Sequence, residues 1–217
     1  MIRENIESIK KRIAAACTRA KVDPGKITLV CVTKAHPVEQ ILEIISLGYK
    51  DIGENKVQEA LEKHKQVSGA KWHMVGHLQS NKVKEAIKIF DLIHSVDSLG
   101  LAEEINKQAI KINKVQDILL EVKTSNEVSK FGIASDKVSE VSVEICKLSN
   151  VNLKGLMTIA PFSNNANEAR PYFAQLKQLR DALNSGWFLS MGMSLDFEVA
   201  IEEGADIIRL GRAILEG

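Results

Sequence analysis

Apolar residues recur along this chain in two alternating patterns. Short apolar runs are typical of buried strands, and longer segments with apolar side chains every three or four residues are typical of amphipathic helices. The predicted strands cover 27–33, 50–52, 71–75, 92–95, 117–122, 151–158, 188–190 and 206–210. The predicted helices between them cover 38–47, 56–66, 81–89, 99–112, 136–148, 167–184 and 195–203. The pattern therefore predicts eight strands with seven intervening helices.

This alternation predicts a parallel sheet, because each crossover needs a helix to return the chain to the same edge. Eight such units favour an α/β fold of the (β/α)8 TIM barrel type, formed by residues 1–217 as a single domain. A doubly wound open sheet is the competing arrangement, and alternation alone does not separate the two. Little chain follows the last strand, so we expect an extra N-terminal helix, roughly 2–20, to cover the bare part of the barrel wall.

Composition and charge narrow the possible partners. The 217 residues are 45% apolar and 26% charged, which is typical of a soluble globular protein. The formal net charge of +1 provides no field that favours nucleic acid or a membrane surface. The N-terminus is amphipathic without a signal-peptide core, and no apolar run approaches membrane-spanning length, so we expect a cytoplasmic protein. Cys17, Cys31 and Cys146 form no CxxC pattern and are predicted to be buried thiols.

One lysine stands directly after the first predicted strand, in "LVCVTKAHP". On a barrel, residues that follow the carboxyl ends of the strands face the functional site. An amine that is partly withdrawn from water there can condense with an aldehyde to a Schiff base. Lysines also end strands simply because the ammonium group prefers water, and Lys34 taken alone favours that simpler interpretation.

Residues near the C-terminal end of the sequence favour a ligand-binding role for Lys34. In barrel enzymes the loops after the seventh and eighth strands commonly bind phosphate. Ser194 can donate a hydroxyl there, while Gly192 and Gly211 allow close backbone approach beside Arg212. Ser194 as a helix N-cap and Gly211 as a turn residue are the plain alternatives. Together with Lys34, the set favours an aldehyde phosphate as the ligand.

Several segments, in order, closely resemble the pyridoxal phosphate homeostasis protein family: "VTKAHP", "IGENKVQEA", "WHMVGHLQSNKVK", "SKFGI", "GLMTIAPF" and "FLSMGMSLDFEVAIEEGADIIRLGRAI". That family is similar to the N-terminal barrel domain of alanine racemase, and the resemblance covers essentially the whole chain. It implies a barrel that holds pyridoxal 5′-phosphate as a Schiff base on the lysine after the first strand, Lys34.

The resemblance also implies further cofactor-binding residues. Ser194 of the MGMS motif corresponds to a phosphate ligand, as does the backbone at Gly211 and Arg212. Arg209 corresponds to a residue near the pyridine nitrogen. The other implied pocket residues are Asn55, near the ring or its hydroxyl, and His77 and Met157, in the pocket wall.

An arginine at the pyridine nitrogen has a chemical consequence. A carboxylate there keeps the nitrogen protonated and makes the cofactor a strong electron sink. An arginine donates a hydrogen bond instead and disfavours that protonation. Arg209 therefore favours modest racemase chemistry or storage of the cofactor over transamination.

Other polar residues are weaker candidates. His73 and His77 have the spacing of a zinc pair, but the span crosses a predicted strand end and no metal is predicted. Glu59 and Lys63 are interpreted as an ordinary surface pair. The remaining residues that we considered are Lys82 and Lys84, a solvated face or minor anion contact; Lys130, in the loop after the fifth strand; His64, solvated; and His94, a strand-end packing residue.

Two functions from different classes remain open, a carrier of pyridoxal phosphate without turnover and a pyridoxal-phosphate-dependent racemase or decarboxylase. A Schiff-base aldolase that uses Lys34 without a cofactor is a weaker third. A racemase needs acid and base groups on both faces of the substrate, and alanine racemase takes one from a second domain. Neither Tyr49, before a strand, nor Tyr172, within a helix, replaces it. We therefore expect a monomeric carrier, not an enzyme, which delivers the cofactor to apo-enzymes.

Overall fold

Eight parallel strands form a closed ring in the computed structural model, which describes residues 1–125 and 131–216. With the short β6, which lies outside the ring, the described residues form nine strands: β1 (Thr28–Val32), β2 (Asp51–Glu54), β3 (Lys71–Met74), β4 (Leu92–Val96), β5 (Gln116–Lys123), β6 (Ile133–Ala134), β7 (Val151–Met157), β8 (Phe188–Ser190) and β9 (Ile207–Leu210). The β4–β5 and β1–β9 pairings close the ring, while β6 pairs only with the end of β5. The predicted (β/α)8 barrel is confirmed, because an open sheet would leave two edge strands with a neighbour on one side only.

Helices follow the strands as predicted. In the described part of the chain they are α1 (Ile2–Ala20), α2 (Val38–Ser46), α3 (Val57–His64), α4 (Val83–Ile89), α5 (Leu99–Lys111), α6 (Val138–Ile145), α7 (Arg170–Leu183), α8 (Phe197–Glu202) and α9 (Arg212–Leu215). Three of the predicted helices began too early because 3₁₀ turns at Ser80–Lys82, Ser135–Lys137 and Ala166–Ala169 precede α4, α6 and α7. No helix of the described residues is long and apolar enough to cross a bilayer.

The extra helix α1 covers the barrel wall beside α8 and α9, as the sequence predicted. Its apolar side chains recur every three or four residues and form one continuous buried face. That face consists of Ile2, Ile6, Ile9, Ile13, Ala16 and Cys17. The four-residue α9 is too short to cover the wall, so α1 takes the place of an eighth outer helix.

Ion pairs add to this contact but do not dominate it. Arg12 Nε lies 2.6 Å from Glu198 Oε1, and Arg19 Nε lies 2.6 Å from Glu202 Oε1. Exposed pairs of this kind contribute about 0.2–1 kcal/mol each. Burial of one isoleucine contributes about 1.5–3 kcal/mol, so the apolar face of α1 is the main anchor.

The barrel interior combines a small apolar cluster with polar side chains. Alternate residues of β1 point inward, and these are Val30 and Val32. Their cluster is completed by Val75, Leu119, Met157 and Ile207 from other strands. Gly53 faces the same cluster, and a β-carbon there would lie 2.8 Å from Val30 Cγ1, so only glycine fits. The buried Arg209, His73 and His94 share this interior.

The predicted burial of the thiols is confirmed at two positions and wrong at the third. Cys17 and Cys31 are buried, and burial raises the pKa of the Cys31 thiol to about 12. Cys146 is exposed because it follows the last residue of α6 on the outer surface.

The role of α1 as barrel cover predicts an unequal effect of two substitutions in the same helix. Ile6→Ala is expected to lower the free energy of unfolding by about 2–5 kcal/mol, because it leaves a cavity under the helix. Lys10→Ala, on the exposed face, is expected to change it by less than about 0.5 kcal/mol. Urea denaturation followed by circular dichroism measures both, and equal effects would show that α1 does not cover the wall.

Candidate functional site

Lys34 lies on a tight turn that follows β1. The backbone of this turn is fixed, since Thr33 N donates to Gly53 O at 2.9 Å and His36 N donates to Thr33 O at 3.1 Å. Ala35 has a φ of 61°, in the left-handed region that residues with a β-carbon seldom adopt. Lys34 itself is exposed in the described structure, so the partial withdrawal from water that we expected is not observed.

Ser194 connects two C-terminal segments of the chain. It lies half-buried between β8 and α8, and its Oγ accepts a hydrogen bond from Ala213 N at 3.3 Å. Its alternative interpretation as the N-cap of α8 is wrong, because the cap position is Asp196 and no side chain caps that helix. Ser194 therefore holds the loop after β8 against the start of α9.

Two glycines allow these segments to pack closely, Gly192 against α8 and Gly211 against the end of β1. Gly192 has a φ of +93°, and a β-carbon there would lie 2.5 Å from Ala200 Cβ. A β-carbon on Gly211 would lie 3.2 Å from the carbonyl oxygen of Val32, two residues before Lys34. The structure thus gathers Ser194, the Gly211 backbone and the end of β1 at one end of the barrel. Arg212 follows Gly211 and is exposed.

Arg209 lies inside the barrel and is only 4% exposed. Its Nη1 donates to Ser190 Oγ at 2.6 Å, and its Nη2 donates to the carbonyl oxygen of Thr158 at 2.9 Å. Burial lowers the pKa of the guanidinium to about 10, against the opposing charges of Glu121 and Asp196. Arg209 therefore remains a cation at neutral pH and is held at a fixed position in the barrel.

Glu121 is a candidate functional residue that sequence reasoning missed. It lies on β5, and burial raises the pKa of its carboxyl to about 7, while the charge of Arg209 lowers it and that of Asp97 raises it. It lines a cavity of about 160 Å³ with Val122, Lys123, Thr124, Ser125, Phe131 and Ile159. An acidic residue at an inward position of a predicted strand was the available signal.

The remaining predicted pocket residues occupy different depths. Met157 is fully buried in the interior cluster of the barrel. The Asn55 backbone packs on Gly76, where a β-carbon would lie 2.4 Å from Asn55 O. His77 is exposed at the rim, with its ring stacked on Phe131 at a centroid distance of 3.8 Å. Asn55 and His77 therefore stand beside each other on neighbouring loops.

The interpretation of Glu59 and Lys63 as a surface pair is wrong. Lys63 is 7% exposed, and its Nζ lies 2.7 Å from Glu54 Oε1, 2.6 Å from Glu59 Oε1 and 2.7 Å from Thr33 O. Glu54 is fully buried; burial raises the pKa of its carboxyl, although Lys63 and Thr33 lower it. The helix face that looked solvated packs on the end of β1.

The other polar residues considered in the sequence lie apart from one another in the structure. His73 lies inside the barrel, whereas Nδ1 of His77 lies 3.3 Å from Asp97 Oδ2 at the rim, so the two histidines do not converge. Among residues 1–125 and 131–216, no group of three His, Cys, Asp or Glu side chains could hold a metal ion. His64, Lys82 and Lys84 are exposed, His94 is buried within β4 rather than at its end, and Lys130 lies outside the described residues.

The sequence and the barrel match known proteins. Residues 2–216 match the family model described as "Alanine racemase, N-terminal domain". Curated proteins named "Pyridoxal phosphate homeostasis protein" are similar along almost their whole length. The protein of Aquifex aeolicus is 43% identical over 215 residues, covering 96% of this chain and 94% of the relative. The protein of Escherichia coli K12 is 36% identical over 225 residues, covering 98% and 95%. The chain therefore belongs to the alanine racemase N-terminal domain family and, within it, to the pyridoxal phosphate homeostasis proteins.

Solved structures agree with this assignment. PipY of Synechococcus elongatus PCC7942, solved with PLP bound, is 34% identical with a TM-score of 0.81, covering 95% of this chain and 99% of PipY. Alanine racemase of Clostridium difficile 630 is 16% identical with a TM-score of 0.74, covering 94% of this chain and 56% of the racemase. The second likeness shows the shared barrel fold alone.

The buried Lys63 predicts a pH-dependent defect. Lys63→Met leaves the Glu54 carboxylate buried without its cation, at a cost of about 3–5 kcal/mol at pH 7. Burial raises the folded-state pKa of Glu54, and Lys63 opposes that rise in wild type. Without Lys63 the pKa of Glu54 is higher still, so the folded variant takes up a proton before wild type does as pH falls. The deficit against wild type should therefore shrink towards pH 5.

Urea denaturation at both pH values measures this effect. Lys65→Met is the matched control, since Lys65 lies near the same helix end and pairs with Glu62 in an exposed contact. Its cost should stay below about 1 kcal/mol at either pH. A Lys63→Met deficit that grows on acidification would contradict the assignment.

Proposed function

We propose that this protein binds pyridoxal 5′-phosphate as a Schiff base on Lys34 and holds it without turnover of amino acids. One observation carries the proposal: the end of β1, two residues before Lys34, lies against Gly211, and Ser194 accepts a hydrogen bond from Ala213 N in the same segment. An amine and a set of oxyanion donors thus stand at the same end of the barrel. The PLP-bound PipY structure of a relative at 34% identity supports the same ligand.

The residues present fit both the aldehyde and the phosphate of the cofactor. The Schiff base joins Lys34 Nζ to the aldehyde carbon and releases one water molecule, and the exposed amine is accessible to this ligand. The Ser194 hydroxyl and the backbone at Gly211 and Arg212 bind the phosphate, since Gly211 lets the backbone approach closely. Pyridoxal phosphate supplies an aldehyde and a conjugated ring when bound.

The remaining assignments concern the ring of the cofactor. Met157 provides the apolar floor, Asn55 contacts the ring or its hydroxyl, and His77 lies at the rim of the pocket. Arg209 faces the pyridine nitrogen and, as a fixed cation, disfavours protonation of that nitrogen. The bound ring is then a poor electron sink, which favours storage over catalysis.

A pyridoxal-phosphate-dependent racemase is the second candidate, and Glu121 is the observation that favours it. A carboxyl with a pKa of about 7 can both accept and donate a proton at neutral pH. The name of the curated relatives and the electrostatic effect of Arg209 favour the carrier. An assay for turnover therefore belongs to any test of the proposal.

The proposal extends to how the carrier works. It acts as a cytoplasmic monomer that passes the cofactor to apo-enzymes, and its free cysteines are compatible with a reducing compartment. Sedimentation gives the oligomeric state. Transfer is measured by mixing the loaded protein with a pyridoxal-phosphate-dependent apo-enzyme and following the activity that this enzyme regains.

Replacement of Lys34 tests the covalent bond. Lys34→Ala is expected to abolish the visible absorption of the bound cofactor, because the Schiff base is the chromophore. Lys82→Ala, an exposed lysine on the loop after β3, should retain the absorption of wild type. Unchanged absorption in Lys34→Ala would contradict the proposed attachment. Racemisation or decarboxylation by wild type above the rate with free cofactor, lost in Lys34→Ala, would favour the enzyme.

The phosphate contact predicts a change in affinity. Ser194→Ala removes one hydroxyl ligand and is expected to weaken binding of pyridoxal 5′-phosphate by about tenfold, or ~1.4 kcal/mol. Ser80→Ala, on an exposed turn, is the control and should bind as wild type does. Fluorescence titration measures both constants, and equal affinities of the two variants would remove Ser194 from the site.

A further inference from the structure

A chain of hydrogen bonds crosses the barrel interior. Asp51 Oδ1 lies 3.0 Å from His73 Nε2, and His73 Nδ1 lies 2.9 Å from His94 Nε2. His94 Nδ1 lies 2.8 Å from Ser190 Oγ, which also accepts the 2.6 Å bond from Arg209. The middle residues are at most 3% exposed, whereas the Asp51 side chain is 28% exposed at the start of β2. The chain therefore joins a carboxylate at the amino end of the barrel to the buried cation.

Elementary hydrogen-bond chemistry gives this chain a direction. A carboxylate can only accept, so Nε2 of His73 carries a hydrogen. In a neutral His73 the other nitrogen is then bare and accepts from Nε2 of His94. This leaves Nδ1 of His94 bare, and it accepts the single hydroxyl hydrogen of Ser190. Every hydrogen in the chain points from Arg209 towards Asp51.

The reversed direction requires a doubly protonated His73. That state would place a second cation inside the barrel, in the same series of hydrogen bonds as Arg209, at a high desolvation cost. Burial is the main cause that holds the pKa of His94 well below its usual value, and the charge of Arg209 acts in the same direction. Burial alone would raise the pKa of Asp51, but the hydrogen bond from His73 and the charge of Lys71 lower it, so Asp51 accepts as a carboxylate.

We propose that Asp51, His73, His94 and Ser190 form a positioning relay for Arg209. Because the hydroxyl hydrogen of Ser190 is committed to His94, its lone pair always faces the guanidinium. The carboxylate at one end of the barrel thus fixes the orientation of the cation at the other. This inference rests on the proposed function only where Arg209 is taken to face the cofactor ring, and the hydrogen-bond direction stands without it.

The direction can be measured in the cofactor-free full-length protein by ¹⁵N NMR of labelled histidines. In wild type, His94 should carry its hydrogen on Nε2 alone. Asp51→Asn keeps the size of the side chain but can either donate or accept, so His94 should shift to a mixture of both tautomers. Asp117→Asn removes a charge at the same end of the barrel, where Asp117 accepts from Asn152 at 2.7 Å, and should leave His94 unchanged.

A second variant separates the two ends of the relay. Ser190→Ala should leave the His94 tautomer as in wild type, since Asp51 sets it. A wild-type His94 with its hydrogen on Nδ1, or an unchanged tautomer in Asp51→Asn, would overturn the proposal, and a loss of the wild-type tautomer in Ser190→Ala would do the same.

The effect on the cofactor is a separate readout. With pyridoxal 5′-phosphate bound, the pH dependence of its absorption should shift in Asp51→Asn and Ser190→Ala but not in Asp117→Asn. Identical pH profiles in all variants would overturn the positioning role. Failure of wild type to bind pyridoxal 5′-phosphate would instead contradict the proposed function and leave the tautomer test in force.

Discussion

The pairing of the first barrel strand with the last is the constraint on which the rest of this structure depends. β1 and β9 are parallel neighbours in a register that matches Thr28 with Ile207 and Cys31 with Leu210. In this register Val30 lies opposite Arg209, and both side chains point into the barrel. A slip by one residue would turn Arg209 towards the outer helices, because strand side chains alternate between the two faces. The same register sets Gly211 against Val32 and so brings the chain's final segment to the turn that bears Lys34.

The buried guanidinium of Arg209 requires polar partners in the barrel interior. A charge in the barrel interior must be matched by oriented dipoles or opposite charges. Here a hydroxyl and a carbonyl oxygen accept its hydrogen bonds, while Glu121 and Asp196 act through their charges. The interior is therefore not a purely apolar core, because the buried guanidinium needs polar partners. The polar layer has a desolvation cost. The apolar contacts of α1 on the outer wall and of the interior cluster stabilise the fold and offset that cost.

Much of the fold could be predicted from the sequence because helix and strand periodicities are local. The strands with long apolar runs, such as β5 and β7, were placed to within a residue or so at each end. β2 was predicted too short because Gly53 and Glu54 are not apolar. Gly53 is required by close packing inside the barrel, and Glu54 is buried against Lys63. β6 was missed because two residues carry no periodicity.

Some residues of the candidate site could be predicted from the sequence, and others could not. Lys34, Ser194 and Gly211 lie in motifs that sequence alone brings to attention, and the barrel topology then places their segments together. Contacts between distant residues could not be predicted, since nothing in the local pattern marks them. His94 and Ser190 are 96 residues apart, and Lys63 reaches Thr33 across 30 residues. Glu121 was overlooked because one acid in an apolar strand resembles a solvent-facing position until the barrel closes around it.

In the proposed binding mode, one amine just after β1 carries the aldehyde of the cofactor while the C-terminal segments hold its phosphate. Borohydride reduction of the loaded protein, followed by proteolysis and mass measurement of the modified peptide, tests it most directly. The account predicts that the reduced pyridoxyl group is attached to Lys34. A label spread over other lysines, with residue 34 unmodified, would contradict it.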